Sequence, residues 1–150
     1  MHVEWLTDYD IINSTIKHPD IWPHVSEIGQ DMDSFSWPKG DSFFAVGCYD
    51  GETYMGCACF SEIAGDEVEL HTCLLPAAKG KAKLFGNMVT AFIFKNKPYD
   101  IISTIVPIAN KLAKLAALKC GFVFDGCSVI FQNQVTERFI LRRSNLCQLQ

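Results

Sequence analysis

The junction from Leu74 to Lys83 carries the residues best suited to bind an anion. A strand that ends near Pro76 leads through a loop of small residues into a helix. The first amides of a helix lack partners within it and lie at the positive end of its dipole, so they can bind phosphate where side chains are small. Gly80 and Ala82 keep that approach open, and three lysines add positive charge: Lys79, Lys81 and Lys83.

Two interpretations of this loop stand side by side. The first is a pyrophosphate site, and the second is an ordinary solvated turn in which a glycine is followed by lysines. The spacing matches neither the G-x-x-x-x-G-K-[ST] loop of nucleotide hydrolases nor the G-x-G-x-x-G loop of dinucleotide-binding proteins. A nucleotide ligand would therefore require another class of protein.

A second group of chemically active residues lies on the strand before this loop. Glu67, Glu69 and His71 are two residues apart, so their side chains share one face of the strand. Histidine changes charge near neutral pH, and a carboxylate can accept a proton through water. The spacing predicts a general base at Glu69 or His71; the alternative is a solvated acidic rim.

The remaining reactive side chains indicate structural roles. His18 and His24 are too isolated in sequence to imply a metal, and no metal site is expected. The tryptophans are typical of a core or an interface. The seven cysteines lack the paired spacing of a zinc site, and we expect mostly buried, reduced thiols: Cys48, Cys57, Cys59, Cys73, Cys120, Cys127 and Cys147.

Periodicity indicates the elements that position these residues. In the first half it predicts a short strand and then a helix that Asp8 caps and that ends near His18-Pro19. An irregular packed segment follows. A three-stranded meander comes next, with turns at Asp50-Gly51 and Gly65-Asp66. The strands are 3–6, 42–49, 53–60 and 67–75, and the irregular segment is 20–41.

The second half alternates helical and β periodicity. Apolar residues at helical spacing predict helices over 81–95 and 110–119. Branched and aromatic runs predict strands over 101–106, 122–124, 129–131 and 138–141, with Asp125-Gly126 between the second and third. The fold class is α/β (α+β), one mixed sheet flanked by helices in a single domain spanning 1–150.

Composition excludes several classes of protein. The chain is 49% hydrophobic and 20% charged, which is typical of a folded globular protein. Its net charge of −4 argues against broad nucleic-acid binding. No segment is typical of a signal peptide or a membrane span. We expect a cytoplasmic protein that binds neither nucleic acid nor membrane.

Two motifs resemble those of GNAT N-acetyltransferases. The loop is similar to the acyl-CoA signature Q/R-x-x-G-x-G/A, with Ala77, Gly80 and Ala82 at the defined positions and alanine in place of Gln or Arg at the first. The next helix and strand resemble N-x-x-A, a seven-residue gap and G-F, at Asn110, Ala113 and Gly121-Phe122. The resemblance covers about 43–142 and implies the GNAT fold.

This resemblance implies acetyl-CoA as the cofactor and a primary amine, of a small molecule or a protein, as the acceptor. The backbone from Cys73 to Leu75 would pair with pantetheine, and the loop with Asn110 would hold the rest of the cofactor. The loop residues so implied are Ala78, Lys79, Gly80, Lys81 and Ala82.

One position departs from the family pattern. Many GNAT enzymes place a tyrosine seven residues after the asparagine, where it protonates the departing thiolate, and this chain has Ala117 there. Cys120 and Ser128 are substitutes by proximity in sequence, and a buried structural role is the other interpretation of both. The resemblance therefore implies the fold more firmly than it implies turnover.

A narrower resemblance links the chain to GNAT-like proteins of tailed bacteriophages, some of them head-assembly or virion proteins. It rests on the segments 18–22 and 69–76 and on the lysine-flanked Gly80. Three hypotheses follow: an acetyl-CoA-dependent transferase in the host cytoplasm, an inactive scaffold that contacts virion proteins, and a CoA sensor without turnover. The alanines at 77 and 117 favour the second, and the retained loop favours the first.

Overall fold

Asp8 starts the first helix. Its carboxylate accepts hydrogen bonds from the N–H groups of Asp10 and Ile11 at 3.0 and 3.4 Å, which satisfies amides that have no partner within the helix. Helix α1 spans Tyr9–Ile16 and buries Ile12, Thr15 and Ile16. The predicted cap is therefore confirmed.

The computed structural model describes residues 1–146, in which seven strands form one mixed sheet. The sheet order is β1-β2-β3-β4-β5-β7-β6, and every neighbouring pair is antiparallel except β4 with β5. The strands are β1 (His2–Leu6), β2 (Phe43–Asp50), β3 (Thr53–Ala64), β4 (Glu67–Leu74), β5 (Ile101–Pro107), β6 (Val123–Phe131) and β7 (Gln134–Arg142).

Helices cover both faces of this sheet. The remaining helices are α2 (Trp22–Val25), α3 (Ala82–Asn96), α4 (Lys111–Lys119) and α5 (Arg143–Leu146), and a 3₁₀ turn spans Pro76–Ala78. The larger core lies between the sheet and α3, where Phe60, Phe85 and Phe139 are fully buried. A smaller core lies on the opposite face, where Ile12 and Ile16 of α1 pack over Cys57, Cys59 and Cys73. No helix within residues 1–146 is long and apolar enough to span a membrane.

The structure corrects three details of the sequence analysis. The segment 20–41 contains α2, whose four residues were predicted as irregular. The hairpin from β2 to β3 turns at Gly51-Glu52, one residue later than predicted, with φ of Gly51 at 60°. The predicted strands 122–124 and 129–131 are one strand, β6, with a register shift between Phe124 and Ser128 and a positive φ of 87° at Gly126. Asp125-Gly126 is thus a bulge, and not a turn.

Six of the cysteines lie within the described residues, and all six are free thiols. Five are buried and Cys127 is exposed, as expected for a mostly reduced, packed set. Burial raises the pKa of the Cys48 thiol to about 12 because a thiolate is poorly solvated in the core. Cys147 lies outside the described residues.

Gly56 allows β3 to approach the end of β4. A Cβ at this position would lie 2.4 Å from the Cys73 carbonyl oxygen and 2.7 Å from Leu74 Cα, and φ is 125°. These neighbours are backbone atoms that cannot move without displacing β4. Only glycine fits here.

We expect Gly56→Ala to lower the free energy of unfolding by more than about 2 kcal/mol, because it adds both a clash and backbone strain. Urea denaturation followed by circular dichroism would measure the change. Gly65→Ala is the matched control, since nothing lies within 4 Å of a Cβ there, and its effect should be small. Equal stability of the two variants would contradict the close approach.

Candidate functional site

Strands β4 and β5 separate after a short parallel contact. They pair only at Glu67–Ile101, Val68–Ile102 and Glu69–Ser103. β4 continues to Leu74 beside β3, while β5 continues to Pro107 beside β7. The two strands therefore form a fork that opens toward their carboxyl ends.

Thr104 lies where the fork begins. Its Oγ1 donates a hydrogen bond to the Leu70 carbonyl at 3.1 Å. The hydroxyl thus supplies a donor to the Leu70 carbonyl, which is the first carbonyl beyond the last parallel pair, Glu69–Ser103. Sequence reasoning missed Thr104, because a threonine in a strand gives no signal of which strand lies beside it.

Beyond Thr104, alternate residues of β4 direct their backbone into the fork. The Leu70 carbonyl points toward β5, while the Leu75 N–H points the other way and donates to the Met55 carbonyl of β3 at 3.0 Å. Because backbone groups alternate between the two edges of a strand, Thr72 and Leu74 face the fork and Cys73 faces β3. Of the predicted stretch Cys73 to Leu75, Leu74 alone offers its N–H to a ligand in the fork, and Thr72 was missed.

The start of α3 stands at the end of this strand. Three predicted loop amides are occupied: those of Ala78, Lys79 and Lys81 donate to the carbonyls of Leu75, Pro76 and Ala78 at 2.9, 3.1 and 2.9 Å. No side chain caps the helix at Lys81. Within residues 1–146, four amides here have no hydrogen-bond acceptor: Gly80, Ala82, Lys83 and Leu84.

The local backbone favours an anion at these amides. Gly80 has a φ of 84°, and nothing lies within 4 Å of a Cβ built there, so the approach is open. Lys81 Nζ contacts Asp50 Oδ2 at 3.0 Å, and this hydrogen bond holds the pKa of the Asp50 carboxyl below its usual value. Among the described residues, Lys79 and Lys83 make no ion pair, which leaves their charge available.

The fork opens into a cleft of about 290 Å³. On the helical side small residues line it, and Ala117, the position of the family tyrosine, is among them. Asn110 also lines the cleft and caps α4 by accepting from the Ala113 N–H at 3.1 Å. Cys120 lines the same wall; its thiol donates to the Lys83 carbonyl at 3.5 Å, and burial raises its pKa.

The predicted base residues form a hydrogen-bonded pair beside this cleft. His71 Nε2 lies 2.8 Å from Glu69 Oε1. The two side chains are 31% and 24% exposed, respectively. His71 lines the cleft. The carboxylate can only accept a hydrogen bond, so it selects the tautomer with a proton on Nε2 and leaves Nδ1 with a free lone pair.

Glu67 is occupied by a different network. Its carboxylate accepts from Arg138 and from Ser103 Oγ, the latter at 3.0 Å, and Arg138 also donates to Asp125. Burial alone would raise the pKa of Asp125, but hydrogen bonds from the Cys127 N–H and Arg138 lower it overall. The three residues of the predicted face thus divide into a structural Glu67 and a Glu69–His71 pair.

The other rim of the cleft is formed by α2 and the β6–β7 hairpin. His24 and Val25 of α2 line the cleft, as His71 does. Gln132, in the hairpin turn with φ of 54°, donates from Nε2 to the Pro23 carbonyl at 2.9 Å and to the Ser26 carbonyl. This contact holds the hairpin against α2. The sequence indicates no functional role for His24. It gives no signal for Gln132, because the partners of Gln132 are over a hundred residues away along the chain.

No group of three metal-ligating side chains occurs in the described part of the chain. The chemistry available at the cleft is therefore that of unpaired backbone amides, lysine charge and an imidazole oriented by a carboxylate.

Comparison with solved structures identifies the fold. A spermidine N-acetyltransferase chimera of the Vibrio cholerae enzyme and hSSAT has a TM-score of 0.79 at 16% identity, over 98% of this chain and 99% of that one. The Vibrio cholerae spermidine N-acetyltransferase in complex with CoA and spermine has a TM-score of 0.73 at 17% identity, over 97% and 96%. The chain has the GNAT acyltransferase fold, which confirms the predicted fold class. No family model and no curated protein sequence matches the chain.

Replacing Thr104 by valine tests the fork. We expect Thr104→Val to lower the free energy of unfolding by about 1–2 kcal/mol, because it leaves the Leu70 carbonyl without its donor. Thr104→Ser keeps the hydroxyl and should lose less. Urea denaturation of the three proteins would decide, and a valine variant as stable as the wild type would show that the bond does not hold the fork.

Proposed function

We propose that the chain is an acyl-CoA-dependent N-acyltransferase that transfers an acyl group, acetyl in the first instance, to a primary amine. The observation that carries this proposal is the alignment of the fork with the uncapped start of α3. Thr72 of β4, whose N–H faces the fork, and Ala82, whose N–H has no acceptor at the start of α3, line the same cleft. Such a series suits a ligand with amides at one end and a pyrophosphate at the other.

The residues present fit CoA. The amides of Gly80, Ala82, Lys83 and Leu84 would hold the pyrophosphate, with Lys79 and Lys83 adding charge. Thr72 and Leu74 would pair with the pantetheine arm through their backbone, and Asn110 would border it. Most of these roles use backbone groups and not side chains. Alanine in place of Gln or Arg at position 77 is therefore compatible with binding of the cofactor.

Acetyl-CoA supplies an acyl thioester whose carbonyl carbon is open to attack by an amine. His71 Nδ1 would take a proton from the bound ammonium before attack, or from the amine nitrogen as it bonds to the carbonyl carbon, directly or through water, and CoA would leave as its thiolate when the carbon–sulfur bond breaks. Glu69 holds the imidazole by Nε2 and stabilises it when it becomes charged. α2 and the β6–β7 hairpin would exclude water from the other side.

The comparison and the charge beside the cleft support the proposed acceptor class. A structural neighbour binds spermine, and we propose a small aliphatic amine for this chain. The segment 20–41 carries five carboxylates and one lysine, and its helix α2 lines the cleft through His24 and Val25. The net negative charge of this segment favours a cationic acceptor over an acidic one.

The alternative function is an inactive GNAT scaffold that works through protein contacts. Ala117 favours it, because α4 offers no hydroxyl at that position to the cleft. The resemblance to phage head-assembly and virion proteins stays a prediction from the sequence. A CoA sensor is intermediate, since it would bind the cofactor without forming product.

Gly80→Glu tests the cofactor site. A carboxylate beside the unpaired amides should repel the pyrophosphate, so the affinity for CoA should fall at least ~10-fold by isothermal calorimetry. Gly80→Ala is the matched control, because it adds the same backbone strain at φ of 84° without charge. Wild-type protein that binds neither CoA nor acetyl-CoA would exclude both the transferase and the sensor.

His71→Ala tests the base. Release of free CoA thiol, measured with acetyl-CoA and a panel of primary amines that includes spermine, should fall by ~10²-fold or more in kcat. Glu69→Gln should fall less, since the imidazole remains. CoA affinity should stay unchanged in both. His18→Ala, outside the cleft, is the control; full activity in His71→Ala would assign the base elsewhere.

A further inference from the structure

Six large apolar side chains are exposed on α4, on the β6–β7 hairpin and just after β5. Between 45% and 69% of each residue is exposed to solvent. They are Ile108, Leu115, Leu118, Phe124, Ile130 and Val135. We call this surface the outer apolar face.

Contacts and register place these residues on one side of the sheet. Lys114 of α4 meets Glu137 of β7 at 3.2 Å, so α4 lies over the face of β7 that carries Glu137. Val135, two residues away, shares that face, and so does its partner Ile130. Ile108 donates its N–H to the Val135 carbonyl at 3.2 Å.

The same reasoning places Phe124. It pairs with Phe139 and contacts its ring at 5.9 Å between centroids, and Phe139 lies two residues from Glu137 on the same face. Leu118 follows Lys114 by one helical turn and lies on the same flank of α4, and Leu115 borders Leu118 at a spacing of three residues. The outer apolar face is therefore continuous from α4 to the hairpin.

The face is as large as the larger apolar patches found on monomeric proteins. Six side chains of this kind, half exposed, present roughly 500 Å² of apolar surface, at the upper end of the largest patch on a typical monomer. A standard interface buries about 800 Å² per partner, somewhat more than half of it apolar. The face supplies roughly the apolar area that one partner brings to a stable contact.

The free edge of β6 is a less suitable contact than this face. The register shift between Phe124 and Ser128 and the positive φ of Gly126 interrupt the strand at its middle. A bulge of this kind prevents continuous pairing with another strand. Association is therefore expected through side chains of the face and not through the edge.

The charges fit a second copy of the same chain. The charged groups within the face, Lys114 and Glu137, already neutralise each other, so two copies would bring no unpaired like charges together at its centre. Lys111 and Lys119 lie at the ends of α4 and would stay at the rim. A two-fold axis lets one patch serve as both halves of the contact.

We infer that the outer apolar face is the contact through which two copies of this chain form a dimer. This inference is independent of the proposed function. It requires a mass near twice 16.8 kDa in solution, and light scattering after size-exclusion chromatography at about 10–100 μM would measure it, because contacts of this size have dissociation constants of micromolar or below.

Substitutions within the face should convert the dimer to a monomer. Leu118→Glu and Ile130→Lys place a charge in the contact, and each position is exposed enough to accept one without unfolding the chain. Ile63→Glu is the matched control, because Ile63 is 53% exposed but lies in β3, which β4 and β5 separate from β7 in the sheet. Circular dichroism would verify that all three fold.

A monomer for both face variants with a dimer for Ile63→Glu supports the inference. A monomeric wild type overturns it, and a different protein would then be the occupant of this surface. A dimer that survives both face substitutions also overturns it. Added NaCl should not dissociate the dimer, since its centre is apolar and the rim lysines repel less at high ionic strength.

Discussion

The separation of β4 from β5 is the constraint on which the rest of the structure depends. Three parallel pairs hold the two halves of the sheet together, and beyond them each strand is satisfied on one edge only. An unpaired backbone group is costly unless water or a ligand reaches it. The fork therefore has to open onto a cleft. That cleft stays accessible because the start of α3 and the small residues of α4 border it.

Position along β4 decides what each ionisable side chain can do. Glu67 lies within the parallel pairing, where Ser103 and Arg138 bind it, and the hydrogen bonds from Arg138 to Glu67 and Asp125 raise the pKa of Arg138. Glu69 and His71 lie at and beyond the last pair, so His71 reaches the cleft with Glu69 behind it. Within four residues, the same strand therefore carries a carboxylate that is neutralised in a structural ion pair and an imidazole with a free nitrogen.

Local signals predicted most of the fold, and contacts distant in sequence account for what was missed. The Asp8 cap, the Gly65-Asp66 turn and the periodicity of α3 and α4 depend on neighbours a few residues away. The α2 helix lacks a capping side chain, and the β6 bulge depends on Arg138 of β7 meeting Asp125. Sequence placed Glu67, Glu69 and His71 on one face, but which carboxylate was free depended on Arg138, seventy residues along the chain. The fork itself has no signature in either strand.

Ala117 weighs less against turnover than its place in the family pattern suggests. The leaving group of the proposed reaction is a thiolate, and a thiol of ordinary pKa, about 8.5, is a far better leaving group than an alcohol. A general acid contributes ~10²–10⁴-fold to a proton transfer, so its loss slows the reaction but leaves attack and departure intact. Loss of the pyrophosphate amides would instead remove the bound thioester altogether. Cofactor binding at α3 is therefore the property that separates an enzyme or a sensor from a scaffold, and the missing hydroxyl affects only how fast an enzyme would be.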